Sequence, residues 1–314
     1  MSKKLKVVIA GLGRIGWAYH LPQIKANADF ELLAVADPLP ERLEEAVDTF
    51  QVPRTYTSVE AMLDAEKEAD LLVLTSPTSF HAAQTLYAFE RGIDVFCEKP
   101  LAKNLDEARM MADAMKRFGR KLMIYQPHRV RPEAQVLRSI IESGVLGEIF
   151  MTRRTCHGFS RRNDWQSKLE FGGGMLNNYG AHFIDQFMYV FGGDHFNVSG
   201  CELRREVSVG DADDVAKILL VNPAGVIGDL DINMASAFDG HEWIVYGKNG
   251  AAKLDNTAKC WRLRYVPAGK MPPLAPQGSL AAANRKYTSE EPLPWHETEI
   301  ALPKHVEGTY YEHV

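Results

Sequence analysis

Three glycines, a lysine and a histidine are the residues in this chain whose types and spacing could do chemistry. Gly11, Gly13 and Gly16 stand in Gly11-Leu12-Gly13-Arg14-Ile15-Gly16, after the apolar run Leu5 to Ala10 and before a stretch with helical spacing from about Ile15 to Asn27. In that strand–turn–helix setting the first glycine permits the tight turn and the second lets a pyrophosphate reach the backbone. The third lets helix and strand pack closely, and the helix's first N–H groups favour phosphate. Asp37 closes the next apolar run, Phe30 to Ala36, about 20 residues on, where a carboxylate accepts from ribose hydroxyls and repels a 2′-phosphate. The pattern predicts a dinucleotide site that favours NAD over NADP. Arg42, on the charged stretch that follows, reads as a solvated residue.

Lys99 lies in Glu98-Lys99-Pro100, directly after the apolar run Ile93 to Cys97. His182 ends the segment Gly172-Gly173-Gly174-Met175-Leu176-Asn177-Asn178-Tyr179-Gly180-Ala181-His182. A lysine in a dry cleft or near another cation loses its proton more readily, and an imidazole titrates near neutral pH. Set between a nucleotide loop and a glycine-rich segment, the pair suggests oxidation of an alcohol. Against this stand plainer roles: a glycine turn with a capping Asp37, a surface lysine before a proline turn, and a structural histidine.

These residues need a scaffold. Up to about residue 125, apolar runs at 5–10, 30–36, 69–75, 93–97 and 122–125 alternate with helical segments at 40–50, 59–65, 79–91 and 104–118. Asn104 with Glu107 marks an N-cap, and Gly92 a helix end. Such β/α alternation predicts a doubly wound parallel α/β sheet. The remainder differs. One helix, Pro132 to Ser143, precedes strand-like runs at 229–234, 241–246, 251–254 and 261–266, which predict an α+β unit with an open, mostly antiparallel sheet. Asp229 to Met234 alternates polar and apolar residues, as a sheet with one wet face does. Residues 267–295, rich in Pro, Ala and Ser, read as a long excursion. The division is therefore residues 1–125 for nucleotide and 126–314 for substrate and oligomerisation.

With 314 residues the chain exceeds one typical core. A net charge of −5 argues against a nucleic-acid partner. Cys97, Cys156, Cys201 and Cys260 stand far apart, which suits neither a zinc site nor a disulfide framework and fits a reducing cytoplasm. No apolar stretch is long enough to span a membrane, and the N-terminus lacks the form of a signal peptide.

Together these blocks resemble the Gfo/Idh/MocA family of oxidoreductases, which includes glucose–fructose oxidoreductase and inositol dehydrogenases. The resemblance rests on Gly11 to Gly16, on Thr75-Ser76-Pro77-Thr78-Ser79-Phe80-His81, on Glu98-Lys99-Pro100-Leu101-Ala102, and on Gly172 to His182 with Asp185. Arg129 with Pro132, Gly144 to Ile149 and Trp243 to Gly250 add to it. It implies an NAD-dependent dehydrogenase acting on a secondary hydroxyl of a sugar, inositol or related polyol, without a metal. It implies Lys99, His182 and Asn178 as catalytic residues. Gly11, Gly13, Arg14, Ile15, Gly16, Asp37, Thr75, Pro77, His81, Glu98 and Lys99 would hold the cofactor. Lys99, Arg129, Trp165, Asn178 and His182 would meet the substrate.

The chain departs from the family in two places. Asn178 stands where the family usually has Asp, which cannot then form an Asp–His relay and leaves more of the proton chemistry to Lys99. The closing segment Gly308 to Val314 stands where relatives begin a helix that packs on the nucleotide domain, and its shortening is expected to expose apolar surface. Two other activities share the resemblance: a redox-neutral enzyme that cleaves glycosides with tightly held NAD, and a non-catalytic nucleotide sensor. Homodimers or homotetramers through the open sheet are also implied.

Overall fold

The computed structural model describes residues 4–193, 195–275, 291–305, 310–311 and 314. Its first sheet is built from β1 (Leu5–Ala10), β2 (Phe30–Ala36), β3 (Thr55–Tyr56), β4 (Leu71–Leu74), β5 (Asp94–Cys97) and β6 (Leu122–Ile124). All pairings are parallel, in the order β3-β2-β1-β4-β5-β6. The order reverses at β1, so the loops after β1 and β4 part there and leave a crevice at the strands' carboxyl ends. Helices α1 (Leu21–Ala26), α2 (Pro40–Phe50), α3 (Val59–Ala65), α4 (Thr78–Glu90) and α5 (Leu105–Phe118) cover the two faces. Burial on both faces explains the unbroken apolar runs: Val7, Val8, Ile9 and Ala10 have no exposed surface. α5 begins as expected, with Asn104 Oδ1 accepting from Glu107 N at 2.9 Å.

The second sheet contains β7 (Ile149–Phe159), β8 (Asn197–Arg204), β9 (Val215–Val221), β10 (Ile227–Asn233), β11 (Ala235–Gly240), β12 (Trp243–Gly247), β13 (Gly250–Asp255), β14 (Cys260–Tyr265) and β15 (His296–Ala301). Their order is β15-β14-β13-β12-β7-β10-β9-β8, with β11 also on β7. The β7–β10 pairing is parallel and the others antiparallel. Helices α6 (Pro132–Glu142) and α7 (Ala181–Phe191) pack over this sheet, above Trp243 and Trp261 on one side and above Ile218, Leu230 and Ile232 on the other. The alternation at 229–234 holds for Leu230 and Ile232, which are buried. Asp229 is buried too, because Arg153 Nε reaches it from β7 at 3.2 Å and Lys217 from β9. Of the expected excursion, 267–275 and 291–295 carry no regular element, and 276–290 lie outside the described residues.

Near the carboxyl end, Tyr310 and Tyr311 are buried against Phe96 and Phe30 of the first sheet and Tyr125 directly after it. The apolar face expected to lie open there is thus covered by two aromatic rings. The Tyr310 hydroxyl donates to Ile124 O at 2.6 Å and accepts from Gln126 N at 2.9 Å, at the point where the chain leaves the first sheet. The Tyr311 hydroxyl meets His20 Nδ1. Tyr311→Phe would leave that buried nitrogen unpaired, at a cost of about 1–3 kcal/mol. The expected result is a lower urea midpoint at unchanged m-value; an unchanged midpoint would show that the contact contributes nothing.

Candidate active site

Gly11 has φ +96°, and a Cβ there would lie 2.8 Å from Ser76 N. A Cβ on Gly16 would lie 2.1 Å from Gly11 O. Gly13 has nothing within 4 Å of its Cβ position, so its side faces open space. Thr75 Oγ1 donates to Gly11 O at 2.5 Å and clamps the loop to the end of β4. Asp37 braces it from β2: its carboxylate accepts from Leu12 N at 2.7 Å and from Leu39 N at 3.0 Å. Arg42 Nη1 also donates to it at 3.3 Å, and Arg42 lines the cavity described below, so it is not merely a solvated residue.

The segment after the loop is not one α-helix. Gly16–His20 forms a π-helical turn, and α1 starts only at Leu21. His20 is buried and its Nε2 donates to Glu98 Oε1 at 2.9 Å. The other oxygen, Glu98 Oε2, accepts from Lys99 N at 3.0 Å. On the far side of the same loop, His81 Nδ1 lies 2.9 Å from Pro100 O and its Nε2 2.8 Å from Ser76 O. Burial pushes the His81 imidazole below its usual range. His81 therefore ties the turn after β4 to the Lys99 loop.

Held this way, Lys99 crosses to the second sheet's helix. Its Nζ donates to Asn178 Oδ1 at 3.0 Å and to Asn178 O at 3.2 Å. Burial is the main cause that depresses Lys99 below the ordinary lysine range; Arg14 and Arg162 add to it and Glu98 opposes it. Asn178 sits in a second π-helical turn, Leu176–Gly180, which runs into α7. One carboxylate braces this turn and another the helix that follows it. Asp213 accepts from Leu176 N at 2.8 Å, and its Oδ1 occupies the space that a Cβ on Gly174 would need. Asp185 pairs with Arg129, whose Nε lies 2.9 Å and 3.0 Å from the two carboxylate oxygens.

His182 lies at the start of α7, 8% exposed. Its ring stacks on that of His128 with centroids 3.7 Å apart and planes inclined by 14°. Nδ1 of each ring is buried without a hydrogen-bond partner. His182 is pushed well below its usual range, first by burial and then by His128, Lys99, Arg131 and Arg154. Burial, with Arg131, Arg154 and Lys99, pushes His128 down to about 2.

These groups share one cavity of about 1190 Å³. Gly11, Gly13, Arg14, Ile15, Asp37, Thr75, Pro77, His81, Glu98 and Lys99 line one part, and His128, Trp165, Asn178, Tyr179 and His182 the other. Gly16 packs beneath the loop. Arg129, expected at the substrate, does not line the cavity, because its guanidinium is committed to Asp185. His128 and Asp213 were not legible beforehand: each lies in a connecting segment with no motif spacing to His182 or Gly174. Asn178 and His182, four residues apart, both line the cavity but make different contacts, Asn178 with Lys99 and His182 with His128.

Residues 5–126 match the oxidoreductase family described as having an NAD-binding Rossmann fold, and residues 134–253 match the GFO/IDH/MocA C-terminal domain. The chain belongs to the Gfo/Idh/MocA family. Among its relatives, an inositol 2-dehydrogenase of Streptomyces avermitilis is 30% identical over 76% of this chain and 68% of its own length. A D-glucoside 3-dehydrogenase of Escherichia coli is 34% identical over 61% of this chain; the match spans only 55% of that relative. The fold is that of the WlbA dehydrogenase of Bordetella pertussis, solved with NADH and UDP-GlcNAcA, at a TM-score of 0.74, 24% identity and coverage of 81% of this chain and 74% of that one.

The family's dinucleotide fits these residues, since the open side of Gly13, the positive-φ Gly11 and the Asp37 carboxylate form a cradle that Cβ atoms would fill or distort. Gly16→Ala places a methyl against Gly11 O and must deform the loop. We expect NAD affinity, measured by calorimetry, to fall about tenfold or more, with the unfolding midpoint as control. Unchanged affinity would remove the loop from the site.

Proposed function

We propose that the protein is a dehydrogenase that moves a hydride between NAD and a secondary hydroxyl of a sugar, inositol or related polyol. One observation carries this reading: the cavity lined by the glycine loop and Asp37 is also lined by Lys99, Asn178 and His182. When bound, the nicotinamide supplies the hydride acceptor. Gly11 to Gly16 would hold the pyrophosphate, Asp37 the ribose, and Thr75, Pro77, His81 and Glu98 the adjoining wall. Trp165, Asn178 and His182 would meet the substrate.

The balance of charge assigns the proton. Lys99 is depressed by burial, and its partner Asn178 is a neutral carboxamide that accepts a hydrogen bond without adding charge. A lysine so placed yields its proton more readily and serves as base when neutral. As the carbon-bound hydrogen leaves as hydride, the hydroxyl proton passes to Lys99 Nζ and a C=O bond forms. Burial and the cations around His182 disfavour a proton on it, so it would meet the reacting oxygen as a neutral imidazole.

The division into residues 1–125 and 126–314 goes with this reading, one unit for nucleotide and one for substrate. Exposed Phe150, Phe159, Leu219 and Phe238 on β7, β9 and β11 support assembly into a homodimer or homotetramer. Four free cysteines suit a cytoplasmic setting. Among the described residues, no helix is long and apolar enough to cross a membrane.

The reading is tested by NADH formation with a panel of sugars, inositols and sugar acids; NAD binding without turnover on any of them would overturn it. Lys99→Ala should lower kcat about 10²–10⁴-fold while NAD affinity stays within a few-fold. Asn178→Asp supplies the charge that the carboxamide withholds. It raises the Lys99 pKa, so a larger fraction is protonated at a given pH, and the acidic limb of kcat/KM moves to higher pH. A limb that stays in place would show that Lys99 is not the base.

A further inference from the structure

We propose that His128 is a positioning residue for His182: its ring covers one face of the His182 imidazole, shuts water from it and holds its free edge toward the cavity. The inference rests on the dehydrogenase reading for its catalytic consequence and on geometry for the rest.

The rings stack at 3.7 Å with 14° between their planes, which is face-to-face contact over the whole imidazole. Such a face cannot hold water. With Nδ1 of His182 buried and unpartnered, Nε2 is the nitrogen left to the cavity that both rings line. His128 is itself anchored. It lies in the short 3₁₀ turn Pro127–Arg129, whose last residue, Arg129, pairs with Asp185 on α7, and its own carbonyl accepts from Gln186 Nε2 at 3.0 Å. Both contacts are to the helix that carries His182, so ring and helix are fixed to one another from two sides.

The charges around the pair favour the same state. The groups that act on His182 are Lys99 from the loop after β5, His128 and Arg131 from the segment between β6 and α6, and Arg154 from β7. Each of these disfavours a proton on a buried imidazole, and the carboxylate that meets them, Glu133, is paired with Arg131 at 3.8 Å. Arg154 is packed between Phe183 and Trp243, with its guanidinium 4.6 Å and 3.8 Å from their ring centres. A proton on either imidazole would face that charge and the other ring at contact distance. His182 therefore remains a neutral hydrogen-bonding group, and proton removal falls to Lys99.

The test needs no substrate. In uniformly labelled protein the imidazole signals are followed by NMR over pH, with those of residue 182 identified by their loss in His182→Gln. In the native chain they should not titrate between about pH 5 and 9. His128→Ala admits water, and residue 182 should titrate within that window. His128→Phe keeps a flat ring and should leave it silent; it also serves if the alanine variant fails to fold. With substrate in hand, His128→Ala should lower kcat about tenfold or more and add a second acidic ionisation to kcat/KM, NAD affinity staying within a few-fold. A His182 signal still silent in His128→Ala, or one that titrates equally in His128→Phe, overturns the proposal. Absent turnover with the expected NMR result would instead count against the dehydrogenase reading alone.

Discussion

A buried carboxylate governs the geometry of the cleft. Glu98 is 7% exposed, and an ionised carboxylate cannot remain in such a place unless its oxygens accept hydrogen bonds. One oxygen takes the Lys99 backbone N–H and the other takes His20 Nε2–H. The first bond sets the path of the chain at Lys99. The second draws His20 inward, and His20 in turn holds the Tyr311 hydroxyl. The end of β5, the helix after the glycine loop and the aromatic pair near the carboxyl end are thus joined through one charged group. A polar chain of this kind is costly if any member is missing, which gives each of them little freedom to move.

Across the cleft the chemistry is of the opposite sign. Lys99, Arg131 and Arg154 all act against a proton on the imidazoles of His128 and His182. Asp213, Asp185 and Asp164 are all engaged elsewhere, on the turn before α7, on Arg129 and on Arg162. These carboxylates thus act as struts for backbone and basic groups of the second unit. Negative charge that develops on a substrate oxygen is stabilised there by fixed donors, and an imidazolium is not. Burial and nearby cations depress both Lys99 and His182, and on that ground the base role is proposed for Lys99.

Much of this was legible in the sequence, for identifiable reasons. A parallel sheet buried on both faces writes itself as uninterrupted apolar runs, so β1, β2, β4 and β5 could be read directly. The glycine loop was legible because each glycine answers a separate steric demand. Lys99 and His182 were legible by motif. What was not legible is contact between segments remote in sequence. His128 follows a proline in a three-residue turn, and nothing in its spacing points to α7. Asp213 belongs to a connection between β8 and β9, yet it fixes Gly174. Arg129 was recognised as important, but its charge is spent on Asp185 inside the second unit.

The remaining difference has one cause that occurs twice. Both site-forming helices begin with a π-helical turn, Gly16–His20 and Leu176–Gly180, each entered from a glycine-containing loop. A reading by α-helical spacing places residues four apart on one face, and so pairs Asn178 with His182. A π turn closes i→i+5 bonds and is wider, so side chains before it lose α-helical register with those after it. Asn178 is thereby directed at Lys99, and His182 is left to stack on His128. At the first helix the same widening brings His20 under the loop to reach Glu98. The irregular turns are therefore what couples the two sheets: one lowers a histidine onto the carboxylate behind Lys99, the other raises a carboxamide to the ammonium in front of it.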